Sequence, residues 1–152
     1  MKPKLKRISS SILLVIFGII LGGYLFSNSR SRSFLAFDEC QNCMQPNELL
    51  GLVASIGIQK APGLIPSVVL ETDKTIVINH PTPSAEHHYV IFPKKDIKNV
   101  GEIADEDQQY LTDIYAVTTE LIRKSSISEY RMWTNGPGTQ IVSYLHFHLA
   151  GS

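Results

Sequence analysis

Gln140-Ile141-Val142-Ser143-Tyr144-Leu145-His146-Phe147-His148-Leu149 decides the fold, because two kinds of side chain alternate along it. In an extended strand alternate side chains share a face. Val142, Tyr144, His146 and His148 are therefore expected on one side, and Ile141, Leu145, Phe147 and Leu149 on the other. One face is then core, and the other is a ladder of imidazoles and a phenol. At ~3.3 Å per residue, His146 and His148 would lie ~6.6 Å apart along the strand, close enough for both rings to address one phosphate-sized group. A His-x-His strand also suits two ligands of a metal site. Such sites supply a carboxylate a few residues downstream, and Leu149 to Ser152 hold none.

Working upstream, Asn135-Gly136-Pro137-Gly138 reads as the turn that joins this strand to a partner at Glu129 to Thr134. Asp105 to Lys124 places Leu111, Ile114, Tyr115, Val117, Thr118, Leu121 and Ile122 at helical spacing, with Asp105 as the N-cap. Ser67 to Leu70 and Thr75 to Asn79 are β-branched runs separated by Glu71-Thr72-Asp73-Lys74, the pattern of a hairpin. His88 to Pro93 follows the Pro81-Thr82-Pro83 break as a third strand. A short helix, Asn47 to about Gly57, precedes the loop Ala61 to Pro66. Strands and helices mix without regular βαβ alternation, so the class is α+β: a mainly antiparallel five-stranded sheet with one long and one short helix.

The chain has 152 residues, 43% of them hydrophobic, which is the size of one domain with an appendage. Residues 1 to 37 hold six Lys/Arg and no acid, leaving eight basic against fourteen acidic residues beyond them. A body of that balance lacks the clustered cations a nucleic-acid binder needs to displace counterions. Lys2, Lys4, Lys6 and Arg7, the apolar run Ile12 to Phe26 and the polar stretch Ser27 to Ser33 form a membrane-targeting pattern. Fifteen residues give only ~22 Å of helix against a ~30 Å bilayer core, so a span would recruit Ser9 to Ser11. That length fits an anchor and a cleaved signal alike. Bulky Tyr24, Leu25 and Phe26 give no small-x-small cleavage pattern, which favours an uncleaved single-pass anchor. Four cations before the run against Arg30 and Arg32 after it place the domain on the non-cytoplasmic side. Residues 1 to 33 are then flank, anchor and linker, and residues 34 to 152 the domain. Cys40-Gln41-Asn42-Cys43 can be half a zinc site, a redox pair or a local disulfide, although the strand-to-helix context of a redox pair is missing.

The stretch Tyr130 to Gly151, with Asn135-Gly136, Gln140 and apolar-His146-apolar-His148-apolar in order, resembles the terminal hairpin of the histidine-triad (HIT) family of nucleotide hydrolases and transferases. Pro83-Ser84-Ala85-Glu86-His87-His88-Tyr89-Val90-Ile91-Phe92-Pro93-Lys94-Lys95 resembles a second segment of that family, with His88 on its histidine when Pro93-Lys94-Lys95 sets the register. Cys-x-x-Cys fits many members too, so the resemblance covers roughly residues 38 to 152.

The resemblance implies the HIT fold and a nucleotide phosphate ester, amidate or anhydride as partner. It puts the nucleophile at His146, attacking the α-phosphorus through a covalent nucleotidyl-histidine, as in a phosphoramidase or pyrophosphate hydrolase. An imidazole suits this, since at neutral pH it offers an unprotonated nitrogen. His148 would hydrogen-bond the phosphoryl oxygens or the leaving group, and His88 would orient the nucleophile. Asn135 and the Gly138-Thr139-Gln140 backbone would face the phosphate. Tyr144 stands at the first triad position, where it would join the phosphate-binding residues, and Ile141 where many members carry a Ser that helps the leaving group. No cofactor is required. Zinc, held in some members by both cysteines and the first triad histidine, would lack a ligand at Tyr144. Members of the family commonly form homodimers. Two other readings remain: a hydrolase of a lipid-linked nucleotide similar to the CDP-diacylglycerol pyrophosphatases, and a non-catalytic nucleotide-binding or interaction module in which His80, His87 and the cysteines are bystanders or adventitious metal ligands.

Overall fold

The computed structural model describes residues 3–30, 32 and 45–152. Short β-branched and aromatic runs form β1 (Val68–Glu71), β2 (Thr75–Asn79), β3 (His87–Pro93), β4 (Tyr130–Thr134) and β5 (Phe147–Gly151). They make one sheet in the order β1-β2-β3-β5-β4, with every neighbouring pair antiparallel. The helices are α1 (Pro3–Phe26), α2 (Pro46–Lys60) and α3 (Gln108–Lys124), with short 3₁₀ turns at Pro62–Leu64, Val100–Glu102 and Asp105–Asp107. The α+β class and the five antiparallel strands are as the residue patterns predict.

The period of two separates the sheet faces. Val77, Ile91, Phe147 and Leu149 pack against Ile114, Val117 and Leu121 of α3, all buried. Truncating one of these to Ala would cost about 2–5 kcal/mol. Tyr115 departs from the predicted stripe and is 60% exposed. The opposite face is covered at one end by α2, where Ile58, Ile76 and Tyr144 pack with Phe92 and Val142.

Three expectations need correction. Asp105 is not the cap of α3: a 3₁₀ turn, Asp105–Asp107, precedes the helix, and Asp107 Oδ2 accepts the Ala104 N–H at 2.9 Å. The last strand does not begin at Gln140. Tyr144 N–H donates to Val142 O across two residues (2.8 Å), while Ser143 N–H reaches Asn47 O and Leu145 N–H reaches Ile97 O, so residues 140–146 are irregular. The strand's alternation therefore holds only from Leu145 onward; Ile141 is 80% exposed instead of buried. Third, no helix among the described residues is long and apolar enough to cross a membrane. α1 nevertheless exposes large apolar side chains from Ile12 to Phe26.

Residues read as linker are built into the domain. Arg30 N–H donates to Asp96 Oδ2 at 2.8 Å, and its guanidinium lies 3.5 Å from Glu102 and 3.6 Å from Asp107. The Arg32 guanidinium is 1% exposed, pairs with the fully buried Asp96 and donates to the Ser143 carbonyl. Burial raises the Asp96 carboxyl above its ordinary range, although the Arg30 N–H and the Arg32 charge pull it back. Burial would raise Asp107 too, but Lys95, the Ala104 N–H and Arg30 together hold it low. Gly51 makes this seam fit: a Cβ there would lie 2.3 Å from Ser143 O and 2.6 Å from Arg32 Nη1. The predicted domain boundary at 33/34 thus separates Arg30 and Arg32 from the groups they bond or pair with among the described residues. Cys40 and Cys43 lie outside the described residues.

Candidate functional site

Sheet register assembles the site from β3, β4 and β5. Val90 pairs with His148, and His148 with Trp133, so these three side chains form one row across the face away from α3. His88 sits one row along the same face. His146 comes from the irregular residue just before β5, and Thr134 Oγ1 donates to its carbonyl at 2.6 Å, which fixes the backbone there. His80, on the loop after β2, stacks on His88 with ring centroids 4.0 Å apart and planes within 4°.

Four imidazoles therefore converge. The His146 and His148 centroids are 5.1 Å apart, nearly edge to face, and His88 and His148 are 5.4 Å apart. Trp133 stacks on His148 at 4.9 Å with planes within 11°, and the Arg131 guanidinium lies 5.1 Å from the Trp133 ring centroid. The stack fixes the imidazole plane. His146, His148 and His80 line a pocket of about 340 Å³ together with Phe92, Asn135 and Thr139.

Backbone donors decide the tautomers, because a peptide N–H can only donate. Ser84 N–H donates to His88 Nδ1 at 3.2 Å, so the proton of neutral His88 is on Nε2. His88 Nε2 then donates to His148 Nδ1 at 3.2 Å, leaving the His148 proton on Nε2. His146 is the reverse: its Nδ1 lies 2.7 Å from the Tyr144 carbonyl, which can only accept, so Nδ1 carries the proton and Nε2 a free lone pair. Two adjacent histidines are held in opposite tautomers, one a nucleophile or base and the other a donor.

All three imidazoles are held below the ordinary value. Burial lowers His148 to about 4, with His146, His88 and His80 adding repulsion. Burial also lowers His146, partly offset by its bond to the Tyr144 carbonyl, and lowers His88, with His80 contributing to both.

The expected site residues divide. His146, His148, Asn135 and Thr139 line one pocket. His88 belongs to the cluster but bonds His148, not the nucleophile position. Gly138 and Gln140 line a separate polar pocket beside Lys98 and Glu102, and Gln140 Nε2 donates to Lys98 O at 3.2 Å. Gly138 serves the turn, with φ +86°. Tyr144 is fully buried and donates to the Pro93 carbonyl at 2.7 Å, away from the pocket, because residues 140–146 leave the extended conformation. Burial raises its phenol well above the ordinary value. His80, a bystander or adventitious metal ligand in the non-catalytic reading, belongs to the stack, placed there by a loop that no periodicity reaches. His87 faces the α3 side beside Tyr89.

Neither metal set fits. At the first triad position Tyr144 holds its hydroxyl on Pro93, and the cysteines lie outside the described residues. His80, His88 and His148 bring ligand atoms within 4.8 Å of one another. Thr82 N–H donates to His80 Nδ1 at 3.1 Å as Ser84 does to His88, so both Nδ1 lone pairs are taken and both Nε2 atoms carry protons. Imidazole binds a metal through a free lone pair.

A family model described as "Scavenger mRNA decapping enzyme C-term binding" matches residues 59–152. An uncharacterized HIT-like protein of Buchnera aphidicola subsp. Baizongia pistaciae is 31% identical over 94 residues, 59% of this chain and 84% of that one. The chain belongs to the HIT family. Solved HIT structures agree. A HIT family hydrolase from Legionella pneumophila is 32% identical with TM-score 0.57, over 62% of this chain and 89% of that one. Another from Clostridium thermocellum is 32% identical with TM-score 0.59, over 66% and 89%. A histidine triad nucleotide-binding protein from Candida albicans is 30% identical with TM-score 0.52, over 62% and 71%. These place the chain on a hydrolase-type, nucleotide-binding HIT fold.

Proposed function

We propose that this HIT chain is a nucleotide phosphoramidase or pyrophosphate hydrolase that works through a covalent nucleotidyl intermediate on His146. The opposed tautomers carry the reading. The Tyr144 carbonyl holds the His146 Nδ1 proton and so presents the Nε2 lone pair, while the Ser84–His88–His148 chain presents an N–H at His148 Nε2. The lone pair attacks the α-phosphorus and forms a P–N bond. The electron pair of the broken P–O or P–N bond goes to the leaving atom, which takes its proton from water, while the His148 N–H stabilises the charge growing there. Water then attacks the phosphorus, the pair returns to His146 Nε2, and the water proton passes to solvent.

The test uses the full chain, as wild type and as His146→Ala, with adenosine or guanosine phosphoramidate, following nucleoside monophosphate release. Release that falls by about 10³-fold or more in the variant is expected. Equal release by both proteins rules out His146 as the nucleophile, and binding without release by either favours the non-catalytic reading. We also place the exposed apolar side chains of α1 against a lipid surface. The full chain should then float with phospholipid vesicles, and a chain with Leu14, Phe17 and Leu21 changed to Ser should stay behind.

A further inference from the structure

We infer that Arg32 is a positioning residue for His146: its guanidinium clamps the two peptides that flank Tyr144 and so decides which imidazole nitrogen of His146 carries the proton. The inference rests on the phosphoryl-transfer reading above and adds a group that touches no substrate, supplied by the segment between α1 and α2. The lone pair on His146 Nε2 exists because Nδ1–H donates to the Tyr144 carbonyl at 2.7 Å. That carbonyl lies in the irregular stretch 140–146, so no strand ladder aims it.

Other bonds aim it, and Arg32 stands at the centre of them. The peptide ahead of Tyr144 carries the Ser143 carbonyl, which accepts from Arg32 Nη1, and the Tyr144 N–H, which donates to Val142 O. The peptide after it carries the Tyr144 carbonyl and the Leu145 N–H, which donates to Ile97 O at 2.6 Å. Ile97 follows Asp96, whose Oδ1 accepts from Arg32 Nη2. One guanidinium thus holds the first peptide directly and the second through the Asp96-Ile97 backbone. A planar fork suits this, since its nitrogens hold two acceptors at a fixed separation. The surroundings make room for it: α2 has no side chain at Gly51, where a Cβ would lie 2.6 Å from Arg32 Nη1. The Tyr144 hydroxyl on the Pro93 carbonyl anchors the ring and leaves the peptide planes to these backbone bonds. Without the guanidinium, the carbonyl of the buried Ser143 loses its donor, and an unpaired buried carbonyl turns toward any donor it can reach. The Tyr144 carbonyl then leaves His146, whose ring can carry its proton on either nitrogen. The form protonated on Nε2 has no lone pair there to offer phosphorus.

Nitrogen NMR of the full chain with isotopically labelled histidine reads the tautomers directly, and kinetics with adenosine phosphoramidate read their consequence. Arg32→Met combined with Asp96→Asn removes the donor to Ser143 without stranding a buried charge, and the new amide oxygen can still accept the Arg30 N–H. In this variant the His146 proton should be shared between both nitrogens, and kcat should fall by about 10- to 100-fold with KM within about twofold of wild type. His88 and His148 bond neither flanking peptide, so their proton positions should stay; a general loosening of the fold would disturb all three rings. A folded variant whose His146 proton remains on Nδ1 alone, or whose kcat stays within about twofold of wild type, overturns the inference. Where the double variant unfolds, Arg32→Lys takes its place: the ammonium answers Asp96 but has no fork to span to Ser143. The same selective change at His146 is expected there, and wild-type spectra overturn the inference. The spectra need no substrate. A wild type without turnover sinks the phosphoryl-transfer reading, while the His146 spectra still decide whether Arg32 sets the tautomer. A wild type with the His146 proton on Nε2 sinks both.

Discussion

The two faces of the sheet are made by neighbouring residues and behave as different materials. Toward α3, Val77, Ile91, Phe147 and Leu149 meet hydrocarbon on every side, and the face closes completely. On the other side, His88, His148 and Trp133 occupy the same strands one residue out of phase, and only the α2 end is covered. A close-packed face spends its surface on stability. A face left open at one end keeps room for a ligand and for rings whose proton positions matter. The difference teaches that the imidazoles cluster where close packing stops, on the face that α2 covers at one end only.

Substitutions can break that contrast, the largest effects first. Arg32→Ala strands Asp96 without its cation in a fully buried position and should cost about 3–5 kcal/mol in urea unfolding. If stability is unchanged, the seam carries no net energy. Leu149→Ala on the closed face should cost about 2–5 kcal/mol, with the same loss at pH 7 and pH 5, because no His, Asp or Glu lies among its core partners.

The open face should show the opposite signature, a dependence on pH. His148, His146 and His88 have lowered values in the folded chain, so below about pH 6.5 the unfolded chain takes up protons that the folded chain refuses. Stability should fall as pH drops from about 6.5 toward 4, where His148 itself begins to titrate. Replacing it, as His148→Asn, should make the melting temperature less acid-sensitive; an unaltered slope would mean that His148 is not held neutral. The smallest effect is expected at Ile141→Ser, whose side chain is 80% exposed: within about 0.5 kcal/mol of wild type.

The sequence was most legible where a single period governs. The helix over residues 108–124, the strand pair β1–β2 and the placement of Leu145, Phe147 and Leu149 in the core follow from spacing alone. Tyr144 was misplaced because backbone bonds from residues 143–145 to Asn47, Val142 and Ile97 turn the chain away from extended geometry. Nothing local in Ser143-Tyr144-Leu145 announces partners so distant in the chain. His146 and His148 were found from their spacing and their motif, whereas His80 depends on a loop that folds back to stack on His88. Arg30 and Arg32 looked like topology signals flanking an apolar run. Asp96 gave no local sign of needing them, because Lys94 and Lys95 stand directly before it and only the fold commits those two to Glu71 and Asp107.

The Arg32 seam also bears on how this protein can be processed. A protease that frees the globular body from α1 leaves these contacts whole only if it cuts ahead of Arg30, since Arg30 gives its backbone N–H to Asp96 and its guanidinium to Glu102 and Asp107, and Arg32 gives Asp96 its cation. Cutting between Phe26 and Asn28 would release a body with its ionic seam whole. Cutting after Arg32 would leave buried carboxylates without those partners and the Ser143 carbonyl, three residues before His146, without its guanidinium donor.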